Sequence, residues 1–119
     1  MSEVQERLQS ARQRLEAARV LLDHECESDA MSRLYFGVLE SSRALLLLRD
    51  LAPKTHKGIG MKLGQHFRKE VDVGLLTKLR QNREAVDYRL QEPSAEETKT
   101  CLDRAENFVA SVADQVEKV

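Results

Sequence analysis

Three polar side chains in the stretch RQNREAVDYRL, residues 80–90, could take part in phosphate chemistry. On a helix, Arg83 and Asp87 lie about 40° apart, whereas Tyr88 lies about 140° from Arg83. A guanidinium can bind two phosphate oxygens at once, and Asp87 could orient it through a local ion pair. The spacing alone favours a simpler interpretation, in which Arg83 and Asp87 form a surface ion pair and Tyr88 packs into the core.

Basic residues are concentrated in the middle of the chain. The 119 residues carry a net charge of −1, yet residues 52–89 contain nine Lys or Arg against four Asp or Glu, a local net charge of +5 that leaves −6 for the rest. A basic middle between acidic ends can attract a phosphate-bearing ligand, RNA or a nucleotide. We expect Arg80, Arg83, His56 and Lys57 to contact it. The alternative is an uneven spread of surface charge with no ligand.

Composition and apolar patterning restrict the class of protein. Hydrophobic residues make up 41% and charged residues 33%, with only 5 Gly and 2 Pro, which is typical of one helical domain over residues 1–119. The longest apolar run, ALLLL, is shorter than the roughly 18 residues that a membrane span needs, so we expect a cytoplasmic protein without membrane contact. Neither Cys26 nor Cys101 has partners at zinc-finger spacing, and we expect no metal and no cofactor.

Apolar residues recur at spacings of three and four in four segments, and no segment alternates as a half-buried strand does. The spacing predicts helices over about 3–25 and 29–50, a third from near Gly74 to Leu90, and a fourth after a capping box at Ser94 and Glu97. Ser28 or Asp29 could cap the second of these. Residues 54–58 are predicted as a loop, and residues 59–70 as a short additional helix.

We therefore predict an all-α fold, an antiparallel four-helix bundle with an additional short helix. Gly37, among small neighbours in the second helix, would let another helix approach closely. The side chains expected in the core are Tyr35, Leu39, Leu46, Leu79 and Phe108.

Three stretches taken together resemble the HEPN domain, in its subgroup of small stand-alone prokaryotic proteins. They are DAMSRLYFGVLESSRALLLLRDLAPKTHKGIGMKLGQHF, REAVDYRL and SAEETKTCLDRAENFV, all within residues 29–109. The resemblance extends over nearly the whole chain. The residues that match the subgroup's pattern are Ser32, Arg33, Tyr35, Arg43, Ala44, Leu45, His56, Lys57, Gly58, Arg83, Asp87, Tyr88, Ala105, Glu106, Phe108 and Val109.

The resemblance implies a helical bundle that forms a homodimer and is often encoded beside a minimal nucleotidyltransferase, the two acting as toxin and antitoxin. It also implies metal-independent ribonuclease activity built on an R-x(4-6)-H motif, with the motifs of two subunits in one cleft. This chain departs from that motif, because Tyr88 stands five residues after Arg83 where histidine is expected. A tyrosine, with a pKa near 10 against about 6.5 for histidine, is a poor base at neutral pH, a difference of roughly 5 kcal/mol.

Three functions remain open at this point. The first is an RNA-cleaving toxin with Arg83, Tyr88 and Asp87 as catalytic residues, or with the imidazole of His56 if its loop folds over the Arg83 helix. The second is a non-catalytic module that binds RNA, a nucleotide or the nucleotidyltransferase through the same groove. The third is a structural dimer, in which Arg83 and Asp87 form an interface salt bridge. Under any of the three, His56 could instead be a loop histidine that caps or contacts the next helix.

Overall fold

The structure, a computed structural model, describes residues 2–89 and 91–119 and shows them as helices joined by short loops. The helices are α1 (Glu3–Asp23), α2 (Glu27–Leu47), α3 (His56–His66), α4 (Leu75–Arg89) and α5 (Ala95–Glu117). The predicted all-α architecture, four long helices and one short one, is confirmed. Leu90, the predicted end of the fourth long helix, lies outside the described residues.

Local hydrogen bonds explain where the helices begin. Ser2 and Gln5 form a reciprocal capping box at the start of α1. At the start of α5 the Ser94 hydroxyl accepts from the Glu97 N–H, which is one of the two bonds of the predicted capping box. The expectation that Ser28 or Asp29 caps α2 is wrong. Cys26 precedes the helix and makes no side-chain cap, while the Ser28 hydroxyl donates to Glu92.

The third helix begins earlier than its sequence pattern predicts. Thr55 accepts a hydrogen bond from the Gly58 N–H and caps α3, so three residues assigned to the preceding loop already belong to the helix. As a result, His56 and Lys57 form the first turn of α3. The helical backbone at these two residues fixes the direction in which both side chains leave it.

Two tight turns reverse the chain around α2. Glu25 has a φ of 60° and Asp50 a φ of 57°, the left-handed conformation that ends many helices. The N–H of the next residue bonds back to the helix in each case, Cys26 to the Leu21 carbonyl and Leu51 to the Leu46 carbonyl. The short turn after α1 makes α1 and α2 antiparallel neighbours.

Helix α2 lies at the centre and packs against all four other helices. The five side chains predicted in the core are confirmed, with exposed fractions between 0% and 2%. Gly37 permits the predicted close approach, since a Cβ at that position would lie 2.8 Å from Leu15 Cδ2 on α1. By contrast, none of the described side chains from Arg80 to Tyr88 on α4 is buried.

Candidate phosphate-binding cleft

A cleft of about 540 Å³ lies between α3 and α4. His56 and Lys57 enter it from the first turn of α3, and Arg80 and Glu84 enter it from α4. The buried Leu79, next to Arg80, anchors this part of α4 against the core. The remaining lining residues are Gly60, Met61, Val73, Leu76, Thr77 and Gln81. Three of the four residues predicted to contact phosphate, His56, Lys57 and Arg80, therefore share one cleft.

A residue of α2 contacts the ring of His56. Its Nδ1 is hydrogen-bonded to the hydroxyl of Tyr35, a side chain with an exposed fraction of 0%, and the two ring centroids are 5.5 Å apart. Sequence reasoning placed Tyr35 in the core and did not assign it to the site. The available signal was its position in the matched pattern of α2, upstream of the matched segment that contains His56.

Burial keeps both members of this pair neutral, and the neighbouring arginines act in the same direction on His56 but against it on Tyr35. Burial raises the pKa of Tyr35, which disfavours the phenolate. Burial lowers the pKa of His56, and the positive charges of Arg80, Arg43 and Arg83 lower it further. At neutral pH, the cleft thus contains an uncharged imidazole beside permanently charged guanidinium groups.

Arg83 stands beside the cleft, on the same helix as Arg80. Its guanidinium carbon lies 4.9 Å from the ring centre of Phe36 and 5.4 Å from that of Tyr35. Its Nε is 3.5 Å from Asp87 Oδ2 but is buried without a hydrogen bond. The side chain is 35% exposed. Arg83 therefore packs on the aromatic residues of α2 and still reaches solvent.

Acidic residues one turn further along α4 partly neutralise the positive charges of Arg80 and Arg83. Arg80 Nε lies 3.3 Å from Glu84 Oε1, in the same arrangement as Arg83 and Asp87. Because Glu84 also lines the cleft, the charged lining residues Lys57, Arg80 and Glu84 leave an excess of one positive charge. This local compensation was not anticipated from the net charge of the segment.

Tyr88 is 83% exposed, which rules out the interpretation that packs it into the core. It lines a separate hollow together with Gln81, Glu84 and Ala85. Since Gln81 and Glu84 also line the cleft, the ring of Tyr88 is adjacent to it. His56 and Arg83 are not among the residues described around this hollow.

The described residues can also be compared with what a membrane-spanning helix and a metal site require. No helix in residues 2–89 and 91–119 is long and apolar enough to cross a membrane. Within the same residues, no group of three or more His, Cys, Asp or Glu side chains is arranged to hold a metal ion.

Comparison with known proteins identifies the family. The HEPN domain profile matches residues 4–116. The chain is 30% identical to "Putative toxin MJ0605" of Methanocaldococcus jannaschii, over 98% of this chain and 91% of that protein. It is 33% identical to "Putative toxin MJ0142" of the same organism, over 73% of this chain and 58% of that protein. A "UPF0332 protein" of Thermotoga maritima is 27% identical over 90% of this chain and 86% of that protein. With its helical bundle and a match across nearly its entire length, the chain belongs to the HEPN domain family.

Proposed function

We propose that this protein is the toxin component of a toxin–antitoxin pair and binds single-stranded RNA through the cleft between α3 and α4. One observation carries the proposal: His56, Lys57 and Arg80, from two different helices, line the same cleft. Two of the relatives bear the name "Putative toxin", which supports the toxin assignment. The resemblance to small prokaryotic HEPN proteins supports it as well.

The chemistry of the cleft suits a phosphodiester. Lysine supplies a mobile positive charge, arginine a planar pair of donors and the imidazole a further hydrogen bond. Glu84 occupies the Nε edge of Arg80 through their ion pair. A phosphate would accordingly bind the terminal nitrogens of Arg80 and the ammonium of Lys57.

The exposed ring of Tyr88 favours single-stranded RNA over a duplex. An aromatic side chain beside a basic groove can stack on an unpaired base, a contact worth about 1–3 kcal/mol. Bases inside a duplex already stack on each other and cannot offer a free face. If a phosphate binds in the cleft and a neighbouring base stacks on Tyr88, the RNA strand runs along α4.

The exposed part of the same helix supports a dimer, and the resemblance to small prokaryotic HEPN proteins supports an antitoxin partner. The second half of α4 buries no described side chain, which leaves a face available to a two-fold related copy. We infer a cytoplasmic homodimer, neutralised by a minimal nucleotidyltransferase as antitoxin. Light scattering of the isolated protein should give the mass of a dimer, and a monomer mass would contradict this part of the proposal.

The decisive experiment compares cleft variants with matched surface variants. Arg80→Gln and Lys57→Gln should each weaken binding to a fluorescein-labelled single-stranded RNA by about ten-fold or more, since each removes a charged hydrogen bond. Arg68→Gln and Lys69→Gln make the same charge changes at exposed positions outside the cleft. They should leave the affinity within about two-fold.

Anisotropy titrations of the four variants test the site, and AMP as competitor tests the ligand class. Equal losses in all four variants would show that only overall charge matters and would overturn the proposed cleft. If AMP bound as tightly as the RNA, the ligand would be a nucleotide instead.

Metal-independent RNA cleavage is a second candidate, favoured by the presence of an imidazole and guanidinium groups around one cleft. In that reaction the ribose 2′-OH loses its proton and attacks phosphorus, and the 5′ oxygen leaves with a proton. Incubation of RNA with the protein in EDTA should then yield 2′,3′-cyclic phosphate and 5′-hydroxyl ends. Intact RNA under conditions of saturating binding would exclude this candidate and leave the binding proposal in place.

A further inference from the structure

The hydroxyl of Tyr35 is a buried polar group that the proposed RNA contacts do not use. The side chain is 0% exposed, and His56 Nδ1 is its hydrogen-bond partner among the described residues. A buried hydroxyl that does not donate its proton loses the energy of a hydrogen bond. Since phenol is a far weaker acid than imidazolium, the Tyr35 hydroxyl does not transfer its proton to the imidazole. It keeps the proton and donates a hydrogen bond to Nδ1.

This hydrogen bond determines where His56 has its own proton. A neutral imidazole has one N–H and one acceptor nitrogen, so Nδ1 accepts and the hydrogen is on Nε2. Nε2 is on the opposite side of the ring from Tyr35, and the ring lines the cleft. The side chain therefore offers an N–H donor to the cleft beside Lys57 and Arg80.

We propose that Tyr35 is the positioning residue of the cleft, whose hydroxyl fixes the ring of His56 so that Nε2–H contacts a bound phosphate. The inference rests on the proposed function for the identity of the ligand, but the hydrogen-bond geometry holds without any ligand. The titratable and charged groups around the ring are Tyr35 and Arg43 on α2, Lys57 on α3, and Arg80, Arg83 and Glu84 on α4.

The same bond limits the chemistry of His56. Protonation at Nδ1 would remove the acceptor of the Tyr35 hydroxyl, and the surrounding arginines oppose a further positive charge. The ring therefore stays uncharged around pH 7, and its Nε2 has a hydrogen and no free lone pair. In this state His56 is a donor and not a general base, which favours binding over cleavage.

The first test uses the free protein and needs no RNA. Ring ¹⁵N chemical shifts should show His56 of the wild-type protein with a protonated Nε2 and an accepting Nδ1. Tyr35→Phe keeps the ring that packs under Arg83 and removes only the hydroxyl. It should give a mixture of both tautomers and a His56 that protonates at higher pH. A wild-type protein with Nδ1–H, or the same tautomer in Tyr35→Phe, would overturn the inference.

The second test measures RNA affinity with two substitutions of His56. His56→Asn can place an amide beside the Tyr35 hydroxyl but has no atom near the position of Nε2, so affinity should fall about ten-fold. His56→Gln can place its amide nitrogen near Nε2 and should bind more tightly than His56→Asn. Tyr35→Phe should weaken binding several-fold at pH 8 and recover as the pH falls, whereas wild-type affinity should change little between pH 8 and 6.

The outcomes separate the two proposals. If His56→Asn binds RNA like the wild type while Arg80→Gln does not, the contact assigned to His56 is wrong and the cleft remains. If Arg80→Gln and Lys57→Gln also bind like the wild type, the proposed function fails. The ¹⁵N result on the free protein then still decides whether Tyr35 fixes the ring.

Discussion

The two sides of α2 are built in different ways. On one side, α1 buries a stripe from Leu8 to Ala18, and α5 buries seven side chains between Thr98 and Val112. On the other side, α3 buries only Ile59 and Leu63, and among the described side chains of α4 the buried ones end at Leu79. The cleft and all of the candidate RNA contacts lie on this second side. The difference indicates that α1, α2 and α5 form most of the hydrophobic core, while α3 and α4 contribute fewer buried side chains and present exposed charged residues.

The largest expected effect is the loss of an aromatic side chain on the α1–α2–α5 side. Phe108 on α5 is 2% exposed within the core. Phe108→Ala should lower the free energy of unfolding by about 3–5 kcal/mol, because it removes buried apolar area and leaves a cavity. Urea denaturation measures this change. Lys57→Gln at the cleft should stay within about 0.5 kcal/mol of the parent, and equal losses would contradict the division between the two sides.

A comparison within α4 tests where the anchored part of that helix ends. Leu79 is fully buried, whereas Val86, about two turns later, is only partly buried. Leu79→Ala should cost about 2–4 kcal/mol and Val86→Ala less than about 1 kcal/mol. If Val86→Ala costs as much as Leu79→Ala, the second half of α4 contributes to the core of the monomer. A loss that depends on protein concentration would instead assign Val86 to the dimer interface.

These two sides also differ in how well the sequence predicts them. The helices and the buried residues follow from apolar spacing, because periodicity of 3.6 residues reports which face is covered. The start of α3 was misplaced by three residues, since the cap formed by Thr55 is a single local hydrogen bond and leaves no periodic signal.

Within the site, sequence reasoning identified His56, Lys57 and Arg80 but could not show that they meet. Their convergence depends on how α3 and α4 pack on α2, which is a tertiary property. The bond between Tyr35 and His56 was missed for a similar reason: an apolar stripe predicts that a tyrosine is buried, but not what its hydroxyl contacts.

A smaller effect is expected from pH. The pKa of His56 is lowered in the folded protein, so folding favours the neutral ring. The neutral ring of His56 therefore stabilises the folded protein fully at pH values above its pKa in the unfolded chain, near 6.5. This stabilisation is lost as the pH falls below about 6.5 towards the pKa of His56 in the folded protein. Unfolding should be measured by urea at pH 8 and at pH 5 in the wild type and in His56→Asn. The difference in stability between the two proteins should shrink at pH 5, and a constant difference would show that His56 does not titrate with folding.

The smallest effect concerns Arg83 and Asp87, whose side chains are 35% and 43% exposed. An exposed i,i+4 pair is worth about 0.3–0.5 kcal/mol, and the stacking of a guanidinium on aromatic rings about 0.5–1 kcal/mol. Arg83→Ala should therefore destabilise more than Asp87→Ala, because only the arginine also packs on Phe36 and Tyr35. The double mutant should show a coupling no larger than the ion pair.

RNA binding by the same three variants separates a ligand contact from a structural pair. If Arg83 contacts RNA, Arg83→Ala lowers affinity far more than its small loss of stability explains, and Asp87→Ala has a weaker effect. If Arg83 and Asp87 form only a structural salt bridge, both variants reduce binding in proportion to folding. A complete loss of stability in Arg83→Ala alone would show that the packing of Arg83 on α2 is part of the core. Arg83 would then belong with the residues that stabilise the fold and not with the exposed, charged residues of α4.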